Sequence, residues 1–175
     1  MEISRIKLAG NRSIGIESDE NPTDPREFND DTMPVINCIH SNYNLGDKHQ
    51  FKAPYELVKY VNSGNFHHLP LYLYDHSGIT MSTTPFQCPW DSGQVGFVYI
   101  SKDLIPDEKE AHKRMIDDVK LYDQYLKNDV KGFILYEDDD IYVDSCWGFY
   151  NLESLIDHAD LSNEDKETIR NNFTW

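Results

Sequence analysis

The sequence predicts a single α+β domain over residues 1–175, with a largely antiparallel sheet, one long amphipathic helix and short C-terminal helices. Three observations lead there. Ala111, Met115, Val119, Tyr122 and Leu126 recur at helical steps, so they line one face of a long helix that opens after Pro106. β-rich runs come in pairs around turn-forming clusters, the pattern of antiparallel hairpins. No internal repeat or low-complexity linker interrupts the chain, and 39% hydrophobic with 13% aromatic residues supplies the apolar surface for one core in 175 residues.

Along the chain, Ile3, Ile6 and Leu8, then Ile14 and Ile16, alternate with polar residues on either side of Gly10-Asn11, which predicts an opening hairpin. From Glu17 to Met33, two prolines, seven acids and a single Phe predict an exposed acidic loop. Val35–His40 reads as a buried strand. Ala53–Asn62 reads as a short helix, with Pro54 early, Leu57, Val58 and Val61 at helical spacing, and Gly64 as its stop. Leu69–Tyr74 and Ile79–Thr83 flank the turn cluster Asp75-His76-Ser77-Gly78 and predict a second hairpin; Gln94–Ile100 predicts a central strand. After the long helix, Val130–Tyr136 and Ile141–Cys146 predict a third hairpin joined through Asp138-Asp139-Asp140. Helices over 151–159 and 163–172 complete the chain, the last capped from Ser162-Asn163-Glu164-Asp165.

Charge restricts the partners. With 31 Asp+Glu against 16 Lys+Arg the formal net charge is −15, so phosphate is repelled, and unaided binding to nucleic acid or an anionic membrane is disfavoured. Basic proteins are the favoured charged partners. Residues 1–100 hold twelve acids and seven bases, whereas 101–175 hold nineteen acids and nine bases. Carboxylates held rigidly over a surface can imitate the phosphate rows of a duplex and occupy a basic groove. The simpler alternative is a solvated acidic face that keeps the protein soluble. The residues expected at an electrostatic contact are Glu137, Asp138, Asp139, Asp140 and Asp144, with Asp117 and Asp118 on the long helix and Trp90 as an apolar anchor. Glu137–Asp140 lacks the glycine and terminal Glu of a calcium loop.

Between Asn65 and Ile100 the only charged residues are Asp75 and Asp91. A sheet centre explains most of this, since β-branched and aromatic side chains belong there. The loop Pro85–Gly93 is stiff and turn-rich, with Cys88 and Trp90 near its tip, and loops of this kind often carry function. A thiol nucleophile at Cys88 would need a base such as His76 oriented by Asp75 or Asp91; the alternative is a small buried hydrophobe. His67 and His68 point to opposite faces of a strand, so one ion does not draw on both, and no zinc spacing or phosphate-binding glycine loop is present. In DSCWGFY, Gly148 among aromatics suits close packing; the alternative is a recognition patch of Trp147 with Trp90. Cys38, Cys88 and Cys146 cannot all pair, which fits a reducing compartment, and no leader or membrane span is evident, so the protein is expected in the cytoplasm.

The stretch LYLYDHSGITMSTTPFQCPWDSGQVGFVYISK, with YDQYLKNDVKGFILY and DSCWGFY after it, resembles a family of small proteins of unassigned activity from bacteriophages and other mobile elements. The resemblance covers roughly residues 70–150 and brings no catalytic residues. It implies a setting in which accessory proteins inhibit host restriction, CRISPR or other DNA-handling machinery. The expectation is therefore a non-enzymatic, cofactor-free acidic protein that binds and blocks a basic, nucleic-acid-binding host protein. An enzyme using residues 67–92, or a virion structural protein, is the alternative.

Overall fold

The structure, a computed structural model, describes residues 1–28, 30–138 and 140–175. Among these residues there are four α-helices and eight strands, the strands forming two four-stranded sheets in which every pairing is antiparallel, so the α+β class and the long helix stand as predicted. The strands do not share one sheet. They divide between two compact units, the second inserted in the chain of the first: Met1–Thr23 with Asn128–Trp175, and Asp24–Lys127.

In the first unit the strands β1 (Glu2–Lys7), β2 (Arg12–Ser18), β7 (Lys131–Glu137) and β8 (Ile141–Phe149) lie side by side in that order. Ile14 pairs with Leu135 and Ile16 with Phe133, so period-two alternation sends these four side chains to one face. There they meet Leu155 and Ile156 of α3 (Leu152–His158) and Ile169 of α4 (Asn163–Asn172). Both helices start with side-chain caps: Asn151 accepts from the Ser154 N–H, and Ser162 from the Asp165 N–H.

The second unit orders its strands β3 (Val35–Cys38), β6 (Ser92–Ser101), β4 (Phe66–Asp75) and β5 (Ile79–Ser82). Helix α2 (Glu108–Leu126) covers one face through Ala111, Met115, Val119 and Tyr122, against Ile36, Leu71, Val98 and Ile100. Alternation turns Tyr99 to the opposite face, where Leu57 and Val61 of α1 (Pro54–Val61) pack. The two central strands of this sheet, β6 and β4, thus come from the nearly uncharged stretch 65–100, and helices cover both of their faces. The acidic segment 17–33 completes β2, then forms a short 3-10 turn, Pro25–Phe28, whose Arg26 is buried.

Candidate functional site

The β7–β8 hairpin concentrates the exposed features of the first unit. Among the described residues β8 is an edge strand, and one side of its backbone faces no neighbouring strand. Its register shifts between Leu135 and Tyr136, where Val143 is the extra residue. Ile141, Tyr142 and Val143 are 60%, 61% and 42% exposed, an apolar run on an unpaired edge, which proteins normally avoid. Trp147, 42% exposed, lies over Gly132: a Cβ at that glycine would collide with the indole ring. Both structural packing and exposure thus hold for Trp147.

The carboxylates surround this run. Glu137, Asp138, Asp140 and Asp144 are all exposed; Asp139 lies outside the described residues. They do not share a face. Glu137 and Asp144 continue the side of the sheet that carries Leu135, whereas Asp140 pairs with Arg5 at 2.9 Å on the other side. There the Arg5 guanidinium lies 4.1 Å from the centre of the Tyr136 ring. The turn is fixed from below as well: the Asp138 N–H donates to the Asn11 carbonyl at 3.0 Å, and Asp138 has a left-handed φ of 46°.

Electrostatically the unit is one-sided. It holds sixteen acids against six bases, and Arg5, Arg12, Lys131, Lys166 and Arg170 are each ion-paired inside it. Among the described residues no ion pair reaches Glu137, Asp138 or Asp144. Their field is directed at solvent.

The sites expected in the second unit are distributed differently. Asp117 is exposed, 3.9 Å from Lys120. Asp118, expected at the electrostatic contact, is instead 8% exposed, and its carboxylate accepts from Arg26 Nη1 at 2.6 Å. It cannot touch a partner. Position 118 falls on the buried face of α2, between Met115 and Tyr122, and an acid there needs an internal cation. Burial raises the Asp118 pKa, and the Arg26 charge and hydrogen bond oppose that rise. Trp90 stands 92% exposed at the tip of its loop, available as an anchor.

The alternative chemistry finds a different geometry from the one it needs. Cys88 Sγ and His76 Nδ1 approach the same oxygen, Asp91 Oδ2, at 3.5 and 3.4 Å. The carboxylate sits between thiol and imidazole, where an activated nucleophile requires the imidazole in the middle. His67 Nε2 lies 3.3 Å from the Pro106 carbonyl and His68 stands edge-on to Phe97, on separate faces of β4. Burial lowers the His68 pKa, with Lys102 and His112 adding to the shift. The Cys38 thiol is pushed up to about 12 by burial and by Asp47, which leaves it an inert core group. Among the described residues no three His, Cys, Asp or Glu side chains converge as a metal site.

The sequence did not reveal a cleft of about 1180 Å³ in the second unit, lined by Asp24, Glu27, Asp30 and Asp31 together with Tyr60, Phe66 and Tyr99. Its acids were visible as a run, but the aromatic wall is assembled from α1, β4 and β6. Comparison with protein-family models, curated proteins and solved structures finds no match, so both surfaces are interpreted from their own residues.

Proposed function

We propose that the chain acts by binding a basic protein through the β7–β8 hairpin, and that the specific target is the nucleic-acid groove of a host defence protein, which it blocks. One observation carries this reading: four exposed carboxylates, Glu137, Asp138, Asp140 and Asp144, surround the exposed run Ile141-Tyr142-Val143 on an unpaired strand edge. The three parts have separate roles. The apolar run contributes buried area, the open edge contributes backbone hydrogen bonds, and the acids select a basic partner and speed encounter. Carboxylates on both faces suit a hairpin inserted between two basic walls better than one laid flat on a surface. The motif resemblance to phage and mobile-element proteins favours a defence protein over other basic partners.

The test is capture from a bacterial lysate on immobilised chain at low and high salt. Basic nucleic-acid-binding proteins are expected to be retained at low salt and released by high salt or by added duplex DNA, because one set of basic residues serves both ligands. Retention should fail for the variant carrying Glu137→Lys, Asp138→Lys and Asp140→Lys. Unchanged retention by that variant would remove the hairpin from the account.

A further inference from the structure

We infer that the cleft of the second unit is a binding site for a small organic ammonium ion with a hydrocarbon body, of the choline or polyamine class. This goes beyond the protein-contact reading and rests on different residues. The first argument is charge. Asp24, Glu27, Asp30, Asp31 and Asp47 line the cleft, and the cations among them are Arg26 and Lys48, with His49 beside them. Arg26 is committed inward: Nε donates to Asp47, Nη1 to Asp118 and Nη2 to the Pro34 carbonyl, at 3.2, 2.6 and 3.0 Å. Glu27 and Asp31 are exposed and enter no ion pair among the described residues. Lys48 is the exposed lining cation, and the lining carboxylates outnumber it, so a cation is favoured over an anion.

The second argument is apolar surface. Met33, Tyr60 and Leu104, all cleft residues, are 40%, 42% and 48% exposed. The Tyr60 ring is held by its neighbours, with centroid distances of 4.9 Å to Phe66, 5.3 Å to Phe51 and 5.7 Å to Tyr99. Its exposed part is thus a fixed aromatic surface, not a floppy one, and aromatic faces attract ammonium groups through the ring quadrupole. A bare metal ion would leave this apolar wall unused, and the acids do not converge as metal ligands among the described residues. A neutral hydrophobe would leave the carboxylates unused. An amphipathic ammonium ion uses both, and a cleft of about 1180 Å³ admits one with room for its chain.

Titration calorimetry on the full chain at low ionic strength, with choline, spermidine and the neutral choline isostere 3,3-dimethylbutan-1-ol, tests this. Choline or spermidine should bind at least roughly tenfold tighter than the isostere, the signature of a charge-dependent aromatic site. The double variant Glu27→Gln, Asp31→Asn, which alters only exposed side chains, should weaken that binding about fivefold or more, and Tyr60→Leu should do so even though it keeps an apolar group. The proposal is overturned if the isostere binds as tightly as the cations, if neither cation binds, or if the Glu27→Gln, Asp31→Asn variant binds unchanged. The hairpin variant with lysines at 137, 138 and 140 should bind choline normally, so failure of one reading is separable from failure of the other.

Discussion

The Arg5 guanidinium pairs with Asp140 at 2.9 Å while lying over the Tyr136 ring, so a cation beside the proposed contact surface is held against the sheet. It neutralises Asp140, and among the described residues Glu137, Asp138 and Asp144 enter no ion pair. Arg5→Gln should therefore increase the negative field of the hairpin. The expected result is a basic partner bound a few-fold tighter at low salt, with the gain lost at high salt. Because Asp140 is 82% exposed, the stability cost should stay under about 1 kcal/mol, measured by urea unfolding.

Arg26 anchors the acidic segment to the long helix. Its side chain is 4% exposed and that of Asp118 7%, so Arg26→Met leaves the Asp118 carboxylate without its cation beside an apolar core. Breaking such a pair from one side costs about 3–5 kcal/mol, which denaturant midpoints will resolve. The double variant Arg26→Met, Asp118→Leu should recover part of that loss; no recovery would mean the pair is not the source.

Much of this molecule was legible in its residues, and the exceptions have physical causes. The five-residue apolar stripe of α2, the hairpin alternations and the Ser162 cap are local patterns, and each element appears within a few residues of its expected bounds. The division into two sheets was not local. It depends on β2 pairing with β7, Ile14 against Leu135, across more than a hundred residues, and an apolar strand carries no label for its partner. The burial of Asp118, expected at the contact surface, was missed although a signal existed: it lies on the apolar face of α2, and Arg26 is the only base in the acidic segment. The exposure of Glu137, Asp138, Asp140 and Asp144 was legible because it follows from their turn; that they occupy both faces follows from pairing and was not readable.

Asp165 joins the opening hairpin to α4. Its side chain is 1% exposed and accepts from the Ala9 N–H at 2.9 Å, the Ser162 hydroxyl at 2.9 Å and Arg12 at 2.6 Å. Burial alone would raise its pKa, but these donors and the Arg12 charge outweigh burial and hold it below the ordinary carboxylate range. A depressed folded pKa contributes stability that is present above the unfolded value, about pH 4, and lost as pH falls through the folded value. Asp165→Asn should lower stability at neutral pH and flatten the acid limb of the stability profile below about pH 4. An unchanged acid limb would contradict the linkage.

Gly132→Ala places a methyl group against the Trp147 ring and the Cys146 carbonyl. Overpacking of this kind costs about 1–3 kcal/mol, and the displaced indole should change its fluorescence maximum in the folded state. A silent spectrum with full stability would mean that Trp147 does not rest on that glycine.

The central claim is that hairpin carboxylates bind a basic protein, and the salt dependence of one affinity tests it most directly. A partner retained from lysate is purified and titrated by fluorescence anisotropy over a range of salt, against the wild-type chain and the variant with Lys at 137, 138, 140 and 144. The wild-type affinity should fall steeply with salt and yield to duplex DNA, while the variant, with its melting temperature preserved, should lose about tenfold or more and show a flatter slope. Equal affinity and equal slope for the two chains would contradict the account.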